Sequence, residues 1–592
     1  MRILFLYNEV ESLGLQYLSA ALRRDGHTTG LVFDPRLFDF FRHEYNSRLL
    51  ARTLSFEAQA LRRIAEFRPD VVGFSMLTAN TEWCLRHARA IKARWPHVVT
   101  VGGGYHASSS TRPVLESGAI DWVVRGEAEE AMVELAGSLQ AAMVDGDGRS
   151  AGAAETGRDA WMAGWGRRRV DRARVDTTIR NLAWLEDGEY HENPLRPYEP
   201  DLDRYGRPDK ELFWDLGSPF RTGHMVEWRR GCPWGCTFCS NNFYRRQYYP
   251  DRKDWMYTKE FVRSQSVGHV LAELHEIKAR YDPRLMRVND DDICCDEDWL
   301  RELAERMTDA ERIPFKCFAI PNNINERTIV YLKQIGCRQI QMGVQSLNPE
   351  IRRLIGRPNS EAQIARAIDL ARQQGIGLFC DQIFGLPGET EEDCRVMERF
   401  YEQHPPDIVS VYWLDIWGGV EILQQAVNAG TLTQEEADRI ATVAESGDIS
   451  TVRSYHKDFC KPYAARLEVR NYFRPSIARF LKRSGLWRVP AALGWFRVER
   501  VFHAFTQAWN LDRWPKPHQG YDLSWARFPR FFLRFLGMRL ASMFTRRTLL
   551  PMSELPPLGV PHGLRARAPA PHATETPATA GVPSTALAMR RE

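Results

Sequence analysis

Residues Arg230–Asn241 read RGCPWGCTFCSN and hold three cysteines, Cys232, Cys236 and Cys239, in a C-x3-C-x2-C spacing. Three thiols in one short loop either bind metal or form disulfides. The chain starts MRILFLYNEVES, a short alternating strand followed by acids, not the basic start and long apolar run of a secretory signal. Its 11 cysteines are therefore expected to be reduced thiols in a cytoplasm, and metal is favoured over disulfide. Structural zinc wants four closed ligands, commonly two close Cys pairs. No second pair follows at suitable spacing, and Cys294 and Cys295 are adjacent residues in a different segment. A 4Fe–4S cube takes one ligand per iron, so three thiolates leave one iron open to a substrate or cofactor.

Working outward, strand-like and helical stretches alternate on both sides of this loop. Between 221 and 425, HMVEWRRG, LMRVNDD, FKCFAI, CRQIQMGV and IGLFCDQIFGLPGE read as strands between helices, the pattern of a full or partial (β/α) barrel. Residues 1–140 alternate likewise, with RILFLYN, TGLVFD, VVGFSML, VVTVGGG and DWVVRG as strands. Apolar runs separated by amphipathic helices predict an α/β, parallel, doubly wound sheet. Residues 141–220 read as linker and insertion, with a β-like segment IRNLAWLEDGEYHENP. Residues 426–550 read as helical. Residues 551–592, rich in Pro, Ala and Thr, read as a disordered tail. No internal repeat is found, and no run of 18 uninterrupted apolar residues predicts a membrane span.

The cysteine spacing, with Phe238 before the third Cys and a predicted strand upstream, resembles the radical S-adenosylmethionine (SAM) superfamily. The resemblance implies that Cys232, Cys236 and Cys239 hold a 4Fe–4S cluster and that SAM binds the unique iron. One electron then cleaves SAM to a 5′-deoxyadenosyl radical that abstracts a hydrogen atom. Further matches follow in order at strand ends. RVNDDD (Asp290, Asp291, Asp292) lies where the family often places residues for the SAM amino group, with Asp290 the candidate. QMGVQSLNPEIRRLIGR offers Gln345, Ser346 and Arg357 for ribose and carboxylate contacts. DQIFGLPGET (Asp381, Gly385, Gly388, Glu389) resembles the fifth-strand turn. Phe238 and Asp381 complete the implied SAM contacts.

The first domain resembles the cobalamin-binding, Rossmann-like module fused to many radical SAM enzymes. EVESLG (Glu9, Glu11, Gly14) has the spacing of its D-x-H-x-x-G motif, SML (Ser75, Leu77) matches S-x-L, and Gly102, Gly103 and Gly104 match its Gly-Gly. Side-chain-free backbone there lets a long nucleotide tail approach the sheet edge. Glu11 stands where the family has its cobalt-ligating His. A carboxylate replaces imidazole poorly, which implies binding with an open lower axial face. His106, after GGGY, is a candidate substitute.

The expected protein is a cobalamin-dependent radical SAM enzyme, a C-methyltransferase acting on a small molecule. Its cofactors would be a 4Fe–4S cluster, SAM and cobalamin, with an electron donor such as flavodoxin or ferredoxin. A radical oxidative cyclase of the anaerobic magnesium-protoporphyrin ester cyclase type uses the same parts. A non-catalytic cobalamin sensor would need only the first domain. The tRNA methylthiotransferases carry further N-terminal cysteines, whereas Cys84 is alone here. No catalytic acid or base is identified; Asn241, Asn242 and Tyr244 follow the cluster loop.

Net charge of +4 argues against a nucleic-acid partner. It hides an asymmetry: from Lys461 onward there are 22 Lys/Arg against 7 Asp/Glu. RFPRFFLRFLGMRLASMFTRR (Arg527–Arg547) reads either as a helix packed on the barrel with Arg turned outward, or as a helix lying on an anionic membrane. The second reading would favour a lipid-soluble substrate. Localisation is expected to be cytoplasmic, with membrane association under that second reading.

Overall fold

The computed structural model describes residues 1–8, 11–38, 47–144, 165–217, 223–250, 260–283, 285–357, 359–442, 458–473, 475–492, 529–545 and 547–555. Its first sheet is built on β1 (Arg2–Tyr7), β2 (Thr28–Phe33), β3 (Val71–Ser75), β4 (Val99–Gly103) and β5 (Trp122–Val124), all parallel to their neighbours in the order β2-β1-β3-β4-β5. Ile3, Leu4, Phe5 and Leu6 are all buried, as a strand covered on both faces requires, which is why these strands read as near-continuous apolar runs. The strand order reverses between β1 and β3, so the binding crevice of such a sheet lies at the ends of Tyr7 and Ser75.

The region expected to be a linker extends this sheet. A hairpin of β6 (Leu182–Glu186) and β7 (Glu189–Glu192) adds antiparallel strands beyond β5. Its turn, Asp187-Gly188, has φ of 50° and 83°. Positive φ at both central residues is the two-residue turn that matches strand twist.

The second sheet holds β8 (Gly223–Val226), β9 (Leu285–Val288), β10 (Phe315–Ala319), β11 (Cys337–Gln345), β12 (Gly377–Phe384) and β13 (Ile408–Trp413), parallel and in chain order. Six strands in chain order, with helices between them, form a partial barrel. The sixth strand, IVSVYW, was not singled out in the sequence. Asn471, on helix Lys461–Tyr472, covers this edge: its amide donates to Val409 O (2.9 Å) and its carbonyl accepts from Val409 N (3.0 Å).

The C-terminal region corrects two expectations. Helix Pro529–Phe544 packs neither on the barrel nor as a free surface helix, but on the first domain. The Phe535 ring lies edge-on to Phe33 (6.4 Å) and Phe56 (6.2 Å), and Phe532 to Phe38 (5.2 Å). β14 (Met552–Leu555), from the stretch expected to be disordered, pairs antiparallel with β2 and closes that edge of the first sheet. The rest of the tail, 556–592, lies outside the described residues, as does Glu9. Among the described residues no helix is long and apolar enough to cross a membrane.

Candidate functional site

The cysteine loop follows β8 and is held on every side by its backbone. Gly231 (φ 86°) passes so close to Phe261 that a Cβ would lie 2.1 Å from the Phe261 carbonyl oxygen. The turn Cys236–Cys239 closes through Cys239 N to Cys236 O (3.0 Å), and helix Ser240–Tyr248 starts at Cys239. Thr237 N donates to Ile355 O (3.2 Å), Thr237 O accepts from Ile422 N (3.0 Å), and Thr237 Oγ1 lies 3.0 Å from Gln425 Oε1. Cys232 and Cys236 are buried and Cys239 is half-buried. Burial first, then Asp291, pushes the Cys232 thiol well above its ordinary value. Burial and then Cys236 push Cys239 up to about 12. Cys232 and Cys239 are thus neutral thiols on their own, and coordinating iron would favour their thiolates. Arg357, buried and hydrogen-bonded to Cys236, adds positive charge beside them. This donor set fits a cluster with three protein ligands.

The acidic triplet lies just past the end of β9 and divides by burial. Asp290 and Asp292 turn into the protein, and Asp291 faces the other way. Asp290 Oδ1 accepts the amides of Trp228 (2.8 Å) and Arg229 (3.1 Å), anchoring the chain just before the cluster loop. Asp292 Oδ2 accepts from the Trp234 indole (3.2 Å) and the Asn323 amide (2.6 Å), anchoring the loop itself. Asp291 is exposed to solvent and lies close enough to the cysteines to raise the Cys232 and Cys239 thiols. Burial first, then Glu227, pushes its carboxyl up to about 7 despite a hydrogen bond from Asn241. Asp290 Oδ2 is buried with no partner among the described residues, and Asp291 is the member of the triplet whose charge raises the cysteine thiols.

Gln345 ends β11 with φ 68° at a break in register between β11 and β12, and its buried Oε1 has no partner among the described residues. Such a backbone is strained for a side chain larger than Gly. Ser346 is buried beside it; its Oγ accepts from Asn348 N (3.2 Å) and its carbonyl from Arg352 Nη1 (3.2 Å). Arg357 Nη1 donates to Gly343 O (3.0 Å), bringing β11 to the cysteine loop. Asp381 on β12 accepts from Gln341 Nε2 (3.1 and 2.9 Å), and burial raises its carboxyl to about 7. Phe238 packs between the loop and helix Glu421–Asn428.

In the first domain Ser75 and Gly103 are register partners at the ends of β3 and β4, both half-exposed, and Leu77 just beyond is exposed. They form an open ledge at the crevice. A Cβ at Gly104 (φ 88°) would lie 3.0 Å from Met76 O, and one at Gly102 would lie 3.1 Å from Met76 Sδ, so these glycines let β3 and β4 close on each other. Gly103, whose Cβ would meet only Val124 O at 3.4 Å, faces the ledge. This ledge fits a flat macrocycle lying over the strand ends. Glu11 does not join it. Its carboxylate is buried, accepting from Gln16 Nε2 (2.9 Å) and paired with Lys210 Nζ (3.3 Å), which accords with a lower axial face that Glu11 does not fill. His106, the candidate substitute, lies in the short helix after β4. It is fully buried in helix Tyr105–Ser109, its Nδ1 lies 3.3 Å from Thr78 Oγ1, and burial lowers it to about 4.

Two contacts that no sequence pattern announced join the domains. Tyr105, next after Gly104, reaches across: its hydroxyl donates to Gly418 O (2.8 Å), and its ring lies 5.3 Å from Phe243 and 6.0 Å from Tyr244 on the helix that starts at Cys239. Arg230, two residues before Cys232, pairs with Glu129 (2.8 Å), Glu227 (2.9 Å) and Glu127 (3.6 Å); Arg263 also pairs with Glu127. Burial alone would raise the Glu127 carboxyl, but Arg230 and Arg263 outweigh it and hold it below its ordinary value.

Known proteins match the chain in the same two parts. Residues 226–400 match the radical SAM superfamily and residues 3–136 the B12 binding domain, between them just over half the chain. An uncharacterised methyltransferase of Pyrococcus horikoshii is 24% identical over 437 residues, 72% of this chain and 83% of that protein. The anaerobic magnesium-protoporphyrin IX monomethyl ester cyclase of Rubrivivax gelatinosus is 24% identical over 449 residues, 72% of this chain and 70% of its own. The radical SAM methyltransferase TsrM of Kitasatospora setae, solved with tryptophan substrate and a SAM analogue, superposes with a TM-score of 0.52. That match covers 72% of this chain and 76% of the other at 16% identity.

Proposed function

The chain belongs to the cobalamin-dependent radical SAM enzymes, and we propose that it transfers a methyl group to an unactivated carbon of a small molecule held between its two domains. When bound, the cluster with SAM supplies one-electron cleavage of SAM, and the corrinoid supplies a transferable methyl group. Cys232, Cys236 and Cys239 would hold the cluster, and Arg357 would offset the charge of their sulfurs. Phe238, Asp291, Gln345, Ser346 and Asp381 would line the space beside it and orient SAM. Ser75, Leu77 and Gly103 would lie under the corrin ring.

The observation that carries the reading is Tyr105. It leaves the ledge and packs on the helix that begins at the third cysteine, so ledge and cluster loop are brought to the same interface between the domains. A substrate there meets both cofactors without leaving the protein, and closure around it excludes water. A soluble electron donor would supply the reducing electron.

The test is anaerobic reconstitution followed by reaction of candidate small molecules with SAM and a strong reductant. A product heavier by one CH2, with 5′-deoxyadenosine released, is expected from wild type. Cys236→Ala should release none while keeping corrinoid absorption. Undiminished turnover by that variant would refute the proposal. The cyclase of Rubrivivax gelatinosus, similar over most of its length, favours a second reading, oxidative ring formation, in which the product loses hydrogen and gains no carbon.

A further inference from the structure

Away from the cysteine loop, Glu389, Cys394 and Cys460 form the one other close group of metal-ligating side chains found among the described residues. Glu389 ends the Gly-Leu-Pro-Gly turn after β12. Cys394 lies in the first turn of helix Glu391–Gln403, and Cys460 immediately precedes helix Lys461–Tyr472. Their relative exposures are 6%, 1% and 0%. The sulfurs of Cys394 and Cys460 are 3.8 Å apart, and Cys460 Sγ is 3.4 Å from Glu389 Oε2. All three ligating atoms lie within 4.8 Å of one another.

These spacings have a metric meaning. A tetrahedral ion with metal–sulfur bonds of about 2.3 Å and metal–oxygen bonds of about 2.0–2.2 Å sets sulfur–sulfur edges near 3.8 Å and sulfur–oxygen edges near 3.5 Å. Both measured edges match without any movement of the backbone. Two sulfurs and one carboxylate suit a borderline-soft ion that accepts four ligands, which is zinc; magnesium and calcium prefer oxygen alone.

We propose that Glu389, Cys394 and Cys460 bind one zinc ion, with water as the fourth ligand. Binding forms two zinc–sulfur bonds and one zinc–oxygen bond and releases the two thiol protons to solvent; nothing is oxidised or reduced. The ion ties three segments together: the turn after β12, the helix that follows it, and the helix whose Asn471 caps the edge of β13. Glu389 Oε2 also accepts the Gly385 amide (2.7 Å), so the same carboxylate links the ion to the turn bordering the SAM side of the barrel. With three protein ligands and one water the ion keeps an open position, unlike a closed four-ligand structural site, and it takes no part in methyl transfer.

The experiment uses the full chain with its iron–sulfur cluster reconstituted and excess metal removed. Cobalt(II) is then added as an optical probe and displaced with zinc. Wild type is expected to take up one cobalt per chain, with the red absorption bands of a tetrahedral thiolate site in the difference spectrum, and to lose them on adding zinc. Cys394→Ser and Cys460→Ser should abolish these bands, and Glu389→Gln should weaken binding at least about tenfold, since loss of a ligand costs no less than loss of a ligand's own hydrogen-bond partner. Binding that is unchanged in these variants overturns the proposal, as does a Cys394–Cys460 disulfide in the anaerobically isolated chain. Should the serine variants not fold, wild type decides: zinc near one per chain after purification from zinc-supplied cells supports the site, and zinc near zero overturns it.

Discussion

Replacing Gly356 by Ala tests whether shape alone holds the cysteine loop in its working position. Gly356 has φ 69°, and a Cβ there would lie 2.4 Å from the Gly235 carbonyl oxygen and 2.9 Å from its carbon. The loop must retreat by about 1 Å to regain van der Waals contact. If nothing moves, the left-handed backbone costs an alanine roughly 1–2 kcal/mol, and the overpacking costs roughly 1–3 kcal/mol more. If the loop yields, it carries Cys236 and its neighbours with it, and a 1 Å misplacement of reacting groups can cost about a hundredfold in rate. Gly375→Ala is the matched control. Its φ is 63°, but a Cβ there would meet only Lys333 Nζ at 4.0 Å, so it carries the backbone cost alone. Iron per chain after anaerobic reconstitution, 5′-deoxyadenosine release and urea unfolding are measured for both. Gly375→Ala should keep its iron and its SAM cleavage and lose about 1–2 kcal/mol. Gly356→Ala should lose iron, or retain it with SAM cleavage lowered on the order of a hundredfold. If the two variants prove the same in all three measurements, the packing argument is wrong.

Arg230→Gln takes the shared cation from buried Glu129 and half-buried Glu127 and Glu227, with Arg263 still on Glu127, and should cost about 1–3 kcal/mol, read as a lower urea midpoint and faster proteolysis between the domains; an unchanged midpoint would show that the network does not join them. His106 has a folded pKa lowered to about 4, so the unfolded chain binds its proton first as pH falls. The stability it contributes is present above about pH 6.5 and is lost as pH drops towards 4, a difference of about 3 kcal/mol. His106→Gln should flatten that part of the pH–stability curve, and identical curves for variant and wild type would count against the burial. Phe535→Ala removes a fully buried ring between Phe33 and Phe56 and should destabilise the first domain by about 3–5 kcal/mol. An unchanged unfolding midpoint, with vesicle binding lost instead, would return this helix to the membrane.

Ten of the eleven parallel strands were legible: those of the first sheet are buried on both faces and leave apolar runs, and those of the second, such as LMRV and FKCFA, alternate buried with half-buried residues. IVSVYW was not, since an edge strand mixes buried Val409 with Ser410 and exposed Tyr412. β14 had no local signal at all: four residues in a Pro-rich tail become a strand only because β2 offers an unpaired edge. The helix before it showed its aromatic and Arg content but not its partner. Arg230, Glu127 and Glu129 were visible only as scattered charges, because a network between distant segments has no period along the chain.

What the sequence by itself determined is the cluster's donor set. Three sulfurs within eight residues are brought together by a single turn, and no distant contact is needed to assemble them. The Gly-rich strand ends are local in the same sense. Only the tertiary structure decided which member of the Asp290–Asp292 triplet acts on the cysteines, that Glu11 belongs to Lys210, and that Tyr105 packs on the helix after the cysteine loop. Those outcomes depend on the direction of each side chain relative to segments up to about 200 residues away, which residue type and spacing do not encode.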